Sequence, residues 1–449
     1  MKDTALPAAS AVSRAPAAAS TASLTTAAAT PAAASSPATP AAPPPAAASA
    51  VPGGGPSVPH VPLWLLALFT FSGTLAMHIF VPSLAMAGRD LQASNAAMQM
   101  TVSLYILGLA GGQLIYGPLS DRYGRRPVLM AGLALYTTAG LAAALAPQAY
   151  ALIAARLFQA LGGCAGLVLG RAIVRDTATP ATAAKRLALM NLMVTIAPAM
   201  APIIGAALAA ALGWRAVLAT LCVLGLANFL LAWRQLPETA PVGAHVTAGE
   251  LTRQYLQLLR SREFLGFAVG GGCATTSMYA FIAAAPFIFV DQLHRPASEV
   301  GVYLAILVSG VWLGSAITTR LITRLPIERV MVGGNLVSVL AAFFMLGLVL
   351  AGQSSVAGLV APMFLLTVGA GIASPAALTL AVGVNPRIIG SASGLYGCAQ
   401  MAMGALCSAL AGLGGSAELS ATLVLATAGV VAQVSFWQGL RGKGRRQAA

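Results

Sequence analysis

From Leu63 onward the chain repeats one pattern: an apolar run of about 20 residues, then a short polar break. The runs predict twelve helices, near 63–87, 98–118, 127–146, 150–172, 187–211, 215–234, 264–289, 300–322, 329–351, 357–380, 389–412 and 419–439. Twenty residues at 1.5 Å each reach about 30 Å, the thickness of a bilayer's hydrocarbon core. A helix satisfies its own backbone hydrogen bonds, as lipid demands. The pattern therefore predicts an all-α integral membrane protein with twelve transmembrane helices, although two runs nearly merge at 211–215. Residues 1–60 break the pattern. They are mostly Ala, Pro, Ser and Thr, with Lys2, Asp3 and Arg14 as the only charges. Nothing there can form a core, and no run of Leu or Val marks a signal peptide. A disordered cytoplasmic tail is expected.

The longest internal break, 235–263, follows the sixth run, so the runs fall into two sets of six. This predicts a six-helix bundle over 61–235, a cytoplasmic linker over 236–262, a second six-helix bundle over 263–440 and a basic cytoplasmic tail over 441–449. Within the linker, Leu251, Tyr255, Leu258 and Leu259 recur at helical spacing, with Arg253, Arg260 and Arg262 between them. A basic amphipathic helix of this kind is expected on the inner membrane surface, opened by a capping box of Thr247 and Glu250. A plain solvated linker is the other reading. The break after the second run reads GPLSDRYGRRPVLMAG, and that after the eighth reads GSAITTRLITRLPIERVMVGG. Both run Gly, basic residues, Pro and then an apolar helix. The spacing supports a duplicated six-helix unit, and paired repeats rocking about a central site are the architecture of many secondary transporters.

Composition agrees. Hydrophobic residues make up 58% of the chain and charged residues 8%, where a soluble domain carries about 25% charge. The net charge of +14 is scattered between apolar runs, which argues against nucleic acid as a partner. Its distribution instead sets orientation. With the N-terminus inside, the even-numbered breaks and both tails hold 21 of the 25 Lys and Arg residues. The opposite face holds Arg89, Arg215 and Arg295, and Arg156 sits within a helix. Both termini are therefore expected in the cytoplasm. Cys164, Cys222, Cys273, Cys398 and Cys407 lie in apolar runs without CxxC pairs, so neither disulfides nor a zinc site are expected. The GGG runs at 53–55 and 270–272 lack the lysine of a phosphate loop. With no HExxH and no buried carboxylate pair, an enzyme or an ATP-driven pump has no chemistry to work with.

Charge is concentrated at GPLSDRYGRRP, residues 117–127. Pro127 suits the first turn of a helix, Gly124 permits a tight turn and Gly117 permits close helix approach. Asp121 can accept from a helix N-terminus or pair with an arginine. Arg122, Arg125 and Arg126 can hold helix ends and lipid phosphates. Spacing alone leaves two readings, a conformational latch or a topology marker.

The stretch closely resembles the loop 2–3 signature of the major facilitator superfamily, G-x-L-[SA]-D-R-x-G-R-[RK]-x. RLFQALGGCAGLVLGRAIVRD (156–176) and APAMAPIIGAALAAALGWR (197–215) resemble stretches of its drug/proton antiporter branch, the Bcr/CflA type of bicyclomycin and chloramphenicol exporters. The resemblance covers roughly 63–440. It implies the major facilitator fold and a cytoplasmic gate at Gly117, Asp121, Arg122, Gly124, Arg125 and Arg126. It links Arg156 to proton coupling. It also implies a helix-five packing motif at Pro198, Pro202 and Gly205, with alanine at 201 and 206 where glycines are common.

Arg156 is notable without any family. A central arginine costs about 2.5–3.5 kcal/mol to insert. Gln159 and Gly163 share its helix face, so it is expected to face a cavity. None of the eleven acidic residues sits well inside a predicted helix. The branch commonly shows an aspartate in helix one, in a D-x-Y-L-P-like stretch, where this chain reads MHIFVP (77–82). His78 takes that aspartate's place. It is the only histidine in a predicted span, and imidazole titrates near pH 6.5. His78 and Arg156 are thus the candidate proton-coupling residues, the other reading for His78 being a neutral ring bonded to a backbone carbonyl. A cavity with Arg156 and no carboxylate should favour neutral, zwitterionic or anionic compounds over lipophilic cations. Phe71, Phe80, Tyr105, Gln113, Gln159, Tyr279, Phe281, Phe287, Tyr396, Gln400 and Met401 are expected to line it, aromatic and Met surfaces being adaptable.

The expectation is a multidrug or antibiotic exporter working by proton antiport and alternating access. It would act as a monomer in a bacterial inner membrane, with small molecules, protons and lipid as partners, no cofactor and no metal. An importer or metabolite exporter of the same fold, or a non-transport sensor, are the alternatives.

Overall fold

The computed structural model describes residues 61–178, 180–239, 248–385 and 388–448. The tail over 1–60 and Thr247, the expected capping residue, lie outside the described residues. The chain forms α1 (Leu63–Asp90), α2 (Asn95–Tyr123), α3 (Arg125–Ala144), α4 (Ala149–Asp176), α5 (Pro180–Leu212) and α6 (Trp214–Gln235). A linker helix, Ala248–Arg260, leads to α7 (Arg262–Gln292), α8 (Ala297–Leu321), α9 (Ile327–Leu350), α10 (Val356–Gly383), α11 (Ile389–Gly412) and α12 (Ala417–Ala448). Among the described residues eleven of these are long and apolar enough to cross a membrane, and α5 adds a shorter apolar stretch, Met200–Leu212. The protein is a twelve-helix, multi-pass membrane protein.

Helices outrun their apolar cores because backbone bonding continues through polar ends. The run near 211–215 is split by Gly213, at φ +82°. The basic residues from 441, expected as a cytoplasmic tail, continue α12 as helix, and Lys443 reaches Glu328 of α9 at 2.6 Å.

Among the described residues two of the spanning helices are interrupted along their length. In α1 the helix stops at His78, turns tightly over Val81–Ser83 and resumes at Leu84. Pro82 has no N–H, so the carbonyl of His78 lacks its partner four residues on. In α7 the break falls at Ser277, and the helix ends as a wider turn over Phe287–Gln292. The hydroxyls of Thr275 and Thr276 bond the carbonyls of Gly271 and Gly272, a back-bonding that bends helices.

Helices α1–α6 pack on one another around α4, and α7–α12 pack around α7 and α10. The two sets meet where α2 lies on α11, α5 on α8, and the bend of α1 on the second segment of α7. On the linker helix, Leu258 is buried while Leu256 and Leu259 are exposed. Gln254 there accepts from Ser391 Oγ of α11 at 2.5 Å.

Candidate functional site

The charged stretch is helical almost throughout. Helix α2 runs on to Tyr123, so Asp121 and Arg122 lie in its last turn rather than in a loop, and only Gly124 separates it from α3. Gly124 has φ +95°, and a Cβ there would lie 2.6 Å from Oε2 of Glu238. That carboxylate accepts from the backbone N–H groups of Arg125 (2.8 Å) and Arg126 (3.2 Å), capping α3. Glu238, just after α6, thus takes the capping role open to Asp121. Asp121 pairs with Arg125 at 2.5 Å, and Arg125 also donates to Asp176 of α4 (2.9 Å) and Ser120 (2.6 Å). Arg126 donates to the carbonyl of Trp233 at 2.8 Å, and Arg122 lies over the ring of Tyr123. Every partner named belongs to α2–α6 or the residue stretch just after α6. A Cβ on Gly117 would meet nothing within 4 Å.

At this basic end a cavity of about 440 Å³ opens between the two sets of helices. Gln113, Gly117, Pro118 and Asp121 of α2 and Val168, Arg171, Arg175 and Asp176 of α4 form one wall. The linker helix (Leu251, Gln254, Tyr255) and the start of α11 (Ile389–Ser391, Ser393, Gly394) form the other. Of the residues expected to line a cavity, Gln113 does so.

Arg156 does not face that cavity. It is fully buried inside the first six helices. Its Nη2 donates to the carbonyl of Ala76 at 2.8 Å and its Nη1 to Gln159 Oε1 at 2.7 Å. The rings of Tyr105 and Phe80 lie 4.1 and 5.5 Å from the guanidinium carbon. Ala76 is in the last turn of the first segment of α1, where carbonyls lack helical partners and the helix dipole is negative. Arg156 therefore caps a broken helix, which explains an arginine at this depth with no carboxylate. Gln159, Tyr105 and Phe80 are its shell and are equally buried, so they too lie off the cavity. The Tyr105 hydroxyl donates to the carbonyl of Gly73 at 3.1 Å, and Asn228 of α6 donates to Ser72 at 2.6 Å. Gly163, on the face of Arg156, packs on Gly73 and Tyr136.

His78 sits on the seam between the two sets of helices. It is 2% exposed, its ring lies 6.0 Å from that of Tyr279 on α7, and it makes no hydrogen bond to a described residue. Beyond it Phe281 and Phe287 are buried and so lie off the cavity; Phe281 packs on Phe289 at 6.2 Å and Phe289 on Tyr303 of α8 at 4.7 Å, while Ser103 of α2 meets Ser408 of α11 across the seam at 3.0 Å. Phe80 packs on Trp214 at 6.2 Å. Arg89 of α1 reaches Asp291 of α7 at 2.7 Å, and Asp90 accepts from the indole of Trp214 (3.0 Å) and from Arg215. Tyr396 is buried with its hydroxyl unpaired, and Gln400 donates to Thr275 at 2.6 Å, so both pack α11 on α7. Phe71 and Met401 are half-buried against the core.

The helix-five residues hold this closed end. A Cβ on Gly205 would lie 1.8 Å from the carbonyl oxygen of Ile79, so α5 touches the bend of α1 backbone to backbone. The carbonyl of Pro202 lies against Gly301 of α8, and the alanine at 206 fills the same contact. Pro198 is half-buried.

Sequence reasoning missed Glu238, Asp176 and Arg171. The last two lie inside the quoted 156–176 stretch at the end of α4; Arg175 follows Arg171 by one turn, but Asp176 stands about 140° round the helix from Arg171, so spacing alone does not group them. Nothing in the sequence ties Glu238 to a helix 113 residues upstream.

A family model described as Major Facilitator Superfamily matches residues 66–408. An uncharacterized MFS-type transporter of Bacillus subtilis, YdgK, is 28% identical over 387 residues, covering 83% of this chain and 94% of its own. Multidrug resistance protein D of Escherichia coli is 30% identical over 341 residues, covering 75% and 85%. The crystal structure of a D-xylose–proton symporter superposes with a TM-score of 0.68 at 14% identity, covering 84% of this chain and 96% of that one.

Proposed function

Because the chain belongs to the Major Facilitator Superfamily, we propose that this membrane transporter is a drug exporter of the superfamily's drug/proton antiporter branch, driven by the proton gradient through alternating access. The observation that carries the reading is the cavity that opens between the two sets of helices at the basic end while the opposite end is sealed. That is one of the two end states that rocking halves require. The resistance-protein relatives support drugs as the cargo. In this reading the basic end and both termini are cytoplasmic, the membrane is a bacterial inner membrane, and the protein works as a monomer without a cofactor.

The charged stretch then acts as a latch in its released form. Asp121, Arg125 and Asp176 hold the ends of α2 and α4 together. Gly117 leaves α2 smooth for α11 to approach when the cavity closes. His78 is the candidate proton carrier. It ends the first segment of α1, two residues from the carbonyl that Arg156 caps. A proton on His78 puts a charge into a buried seam beside Tyr279, where no described residue bonds its ring, and the cost of that buried charge works against the seam staying closed. Two carboxylates border the cavity among the described residues, Asp121 and Asp176, and Arg125 engages both. Neutral, zwitterionic or anionic drugs are therefore better suited than lipophilic cations.

Inverted vesicles with an energised membrane test this. Addition of chloramphenicol or another drug should dissipate the internal acid pool in the parent and not in His78→Ala. Dissipation that survives the substitution would remove His78 from the coupling. Silence across neutral, anionic and cationic drugs, with the protein inserted and folded, would overturn drug/proton antiport.

A further inference from the structure

Among the described residues three arginines border the cavity, and they are not alike. Arg125 is matched by Asp121 and Asp176. Arg171 and Arg175, one helical turn apart on α4, have no ion pair or hydrogen bond to a described residue. Arg175 is exposed at the mouth, and Arg171 lies a turn deeper and is partly buried. A cation withdrawn from bulk water without an anion is costly unless something supplies one.

The facing wall offers the complement to an anion as well. Helix α11 begins at Ile389 with no side-chain cap. Its first N–H groups have no helical acceptor and carry the positive end of the dipole. Gly390, Ser391 and Gly394 bring that end to the same cavity as Arg171. Gln113, which makes no hydrogen bond to a described residue, stands on the α2 side. Cation and helix end converge on one space, and Val168 and Leu251 supply an apolar surface beside them. The volume, about 440 Å³, falls within the range of drug-sized sites.

We infer that this cavity binds the carboxylate of an amphiphilic organic anion, with Arg171 as its ion-pair partner and the N-terminus of α11 as a second donor. The inference rests on the transporter reading and narrows its substrate class. Arg175 collects the anion at the mouth, and Arg171 holds it between the two sets of helices. An anion there bridges α4 to α11, so the site exists only while both walls face one space.

Two compounds that differ by one carboxylate test it: chloramphenicol and chloramphenicol hemisuccinate. Their binding to the full chain in phosphatidylcholine nanodiscs is measured by equilibrium dialysis, for the parent, Arg171→Gln and Arg171→Lys. The parent should bind the hemisuccinate more tightly. Arg171→Gln should weaken the hemisuccinate by about tenfold, the loss expected of one charged hydrogen bond, and leave chloramphenicol unchanged. Arg171→Lys should recover part of the loss. Equal affinities for the two compounds, or an equal loss of both in Arg171→Gln, would overturn the site. Discs containing phosphatidylglycerol separate substrate from lipid. Unchanged hemisuccinate affinity supports a substrate site, and displacement there assigns the site to a lipid phosphate and overturns the proposal. The vesicle assay with His78 is independent. Arg171-dependent binding without proton movement would leave the site standing and remove antiport, and proton-coupled export indifferent to Arg171 would do the reverse.

Discussion

Replacing Arg156 separates a structural cap from a coupling residue. Arg156→Ala strands the Ala76 carbonyl and the Gln159 amide oxygen, both bonded at under 3 Å in a fully buried setting. Each unmet buried acceptor costs about 1–3 kcal/mol, and loss of the face of Tyr105 removes about 1 kcal/mol more. Against this, removing a buried charge that no carboxylate matches returns several kcal/mol of desolvation. The balance is a net loss of about 2 kcal/mol, a few degrees in Tm for a chain of this size. Arg156→Lys keeps the charge but reaches one acceptor where the planar fork reaches two, so its loss should be about half as large. Thermal unfolding in detergent micelles, followed by helical circular dichroism, should rank the parent above Arg156→Lys and Arg156→Ala last. Proton-driven transport is measured on the same three proteins. If Arg156→Ala unfolds with the parent, the capping argument is wrong. If Arg156→Lys is nearly as stable as the parent yet fails to couple, the arginine has a role in the cycle beyond its cap.

Gly205→Ala should be far more damaging than a methyl suggests. Its Cβ would sit 1.8 Å from the Ile79 oxygen, where carbon–oxygen contacts run about 3.3–3.6 Å, so α1 and α5 must part by about 1.5 Å. The folded yield on size exclusion should collapse, and normal yield would mean that the bend of α1 gives way freely. Glu238→Ala removes two N–H partners at the start of α3, but the carboxylate is exposed, so the loss should be only about 0.5–1 kcal/mol and Glu238→Gln should lose less. A Tm equal to the parent in both would refute the cap. The Arg89–Asp291 pair joins the two sets of helices at the closed end in an exposed setting, and is worth at most about 1 kcal/mol, or about fivefold in the balance of states. Arg89→Asp and Asp291→Arg should each slow transport within that factor, and their combination should restore it. No recovery would mean the pair does not hold the end.

Hydropathy located all twelve spans, because lipid forces each crossing to be long, apolar and helical. It misjudged polar ends: Asp121 and Arg122 read as loop yet lie in α2, and the basic residues after 440 read as tail yet extend α12. Polarity ends an apolar run without ending a helix. The first helix is expected unbroken over 63–87, although Pro82 carries the signal for its bend; the bend of α7 has no such signal, since it comes from Thr275 and Thr276 turning back on their own helix. Periodicity gathered Arg156, Gln159 and Gly163 on one face and could not say what covers it. The cover is α1, α2 and α3, not the cavity. Arg171 was counted with the cytoplasmic charges, since a charge near a helix end looks the same whether it faces lipid, water or a partner helix.

The bend in α1 makes that helix a lever with unequal arms. Its segment toward the basic end has 16 residues and the one beyond the turn has seven, about 24 and 10 Å at 1.5 Å per residue. A rigid swing about Ile79–Ser83 therefore carries the long arm more than twice as far as the short one. A gap wide enough to admit a drug at one end corresponds to a displacement at the other that a few aromatic side chains and one ion pair can span.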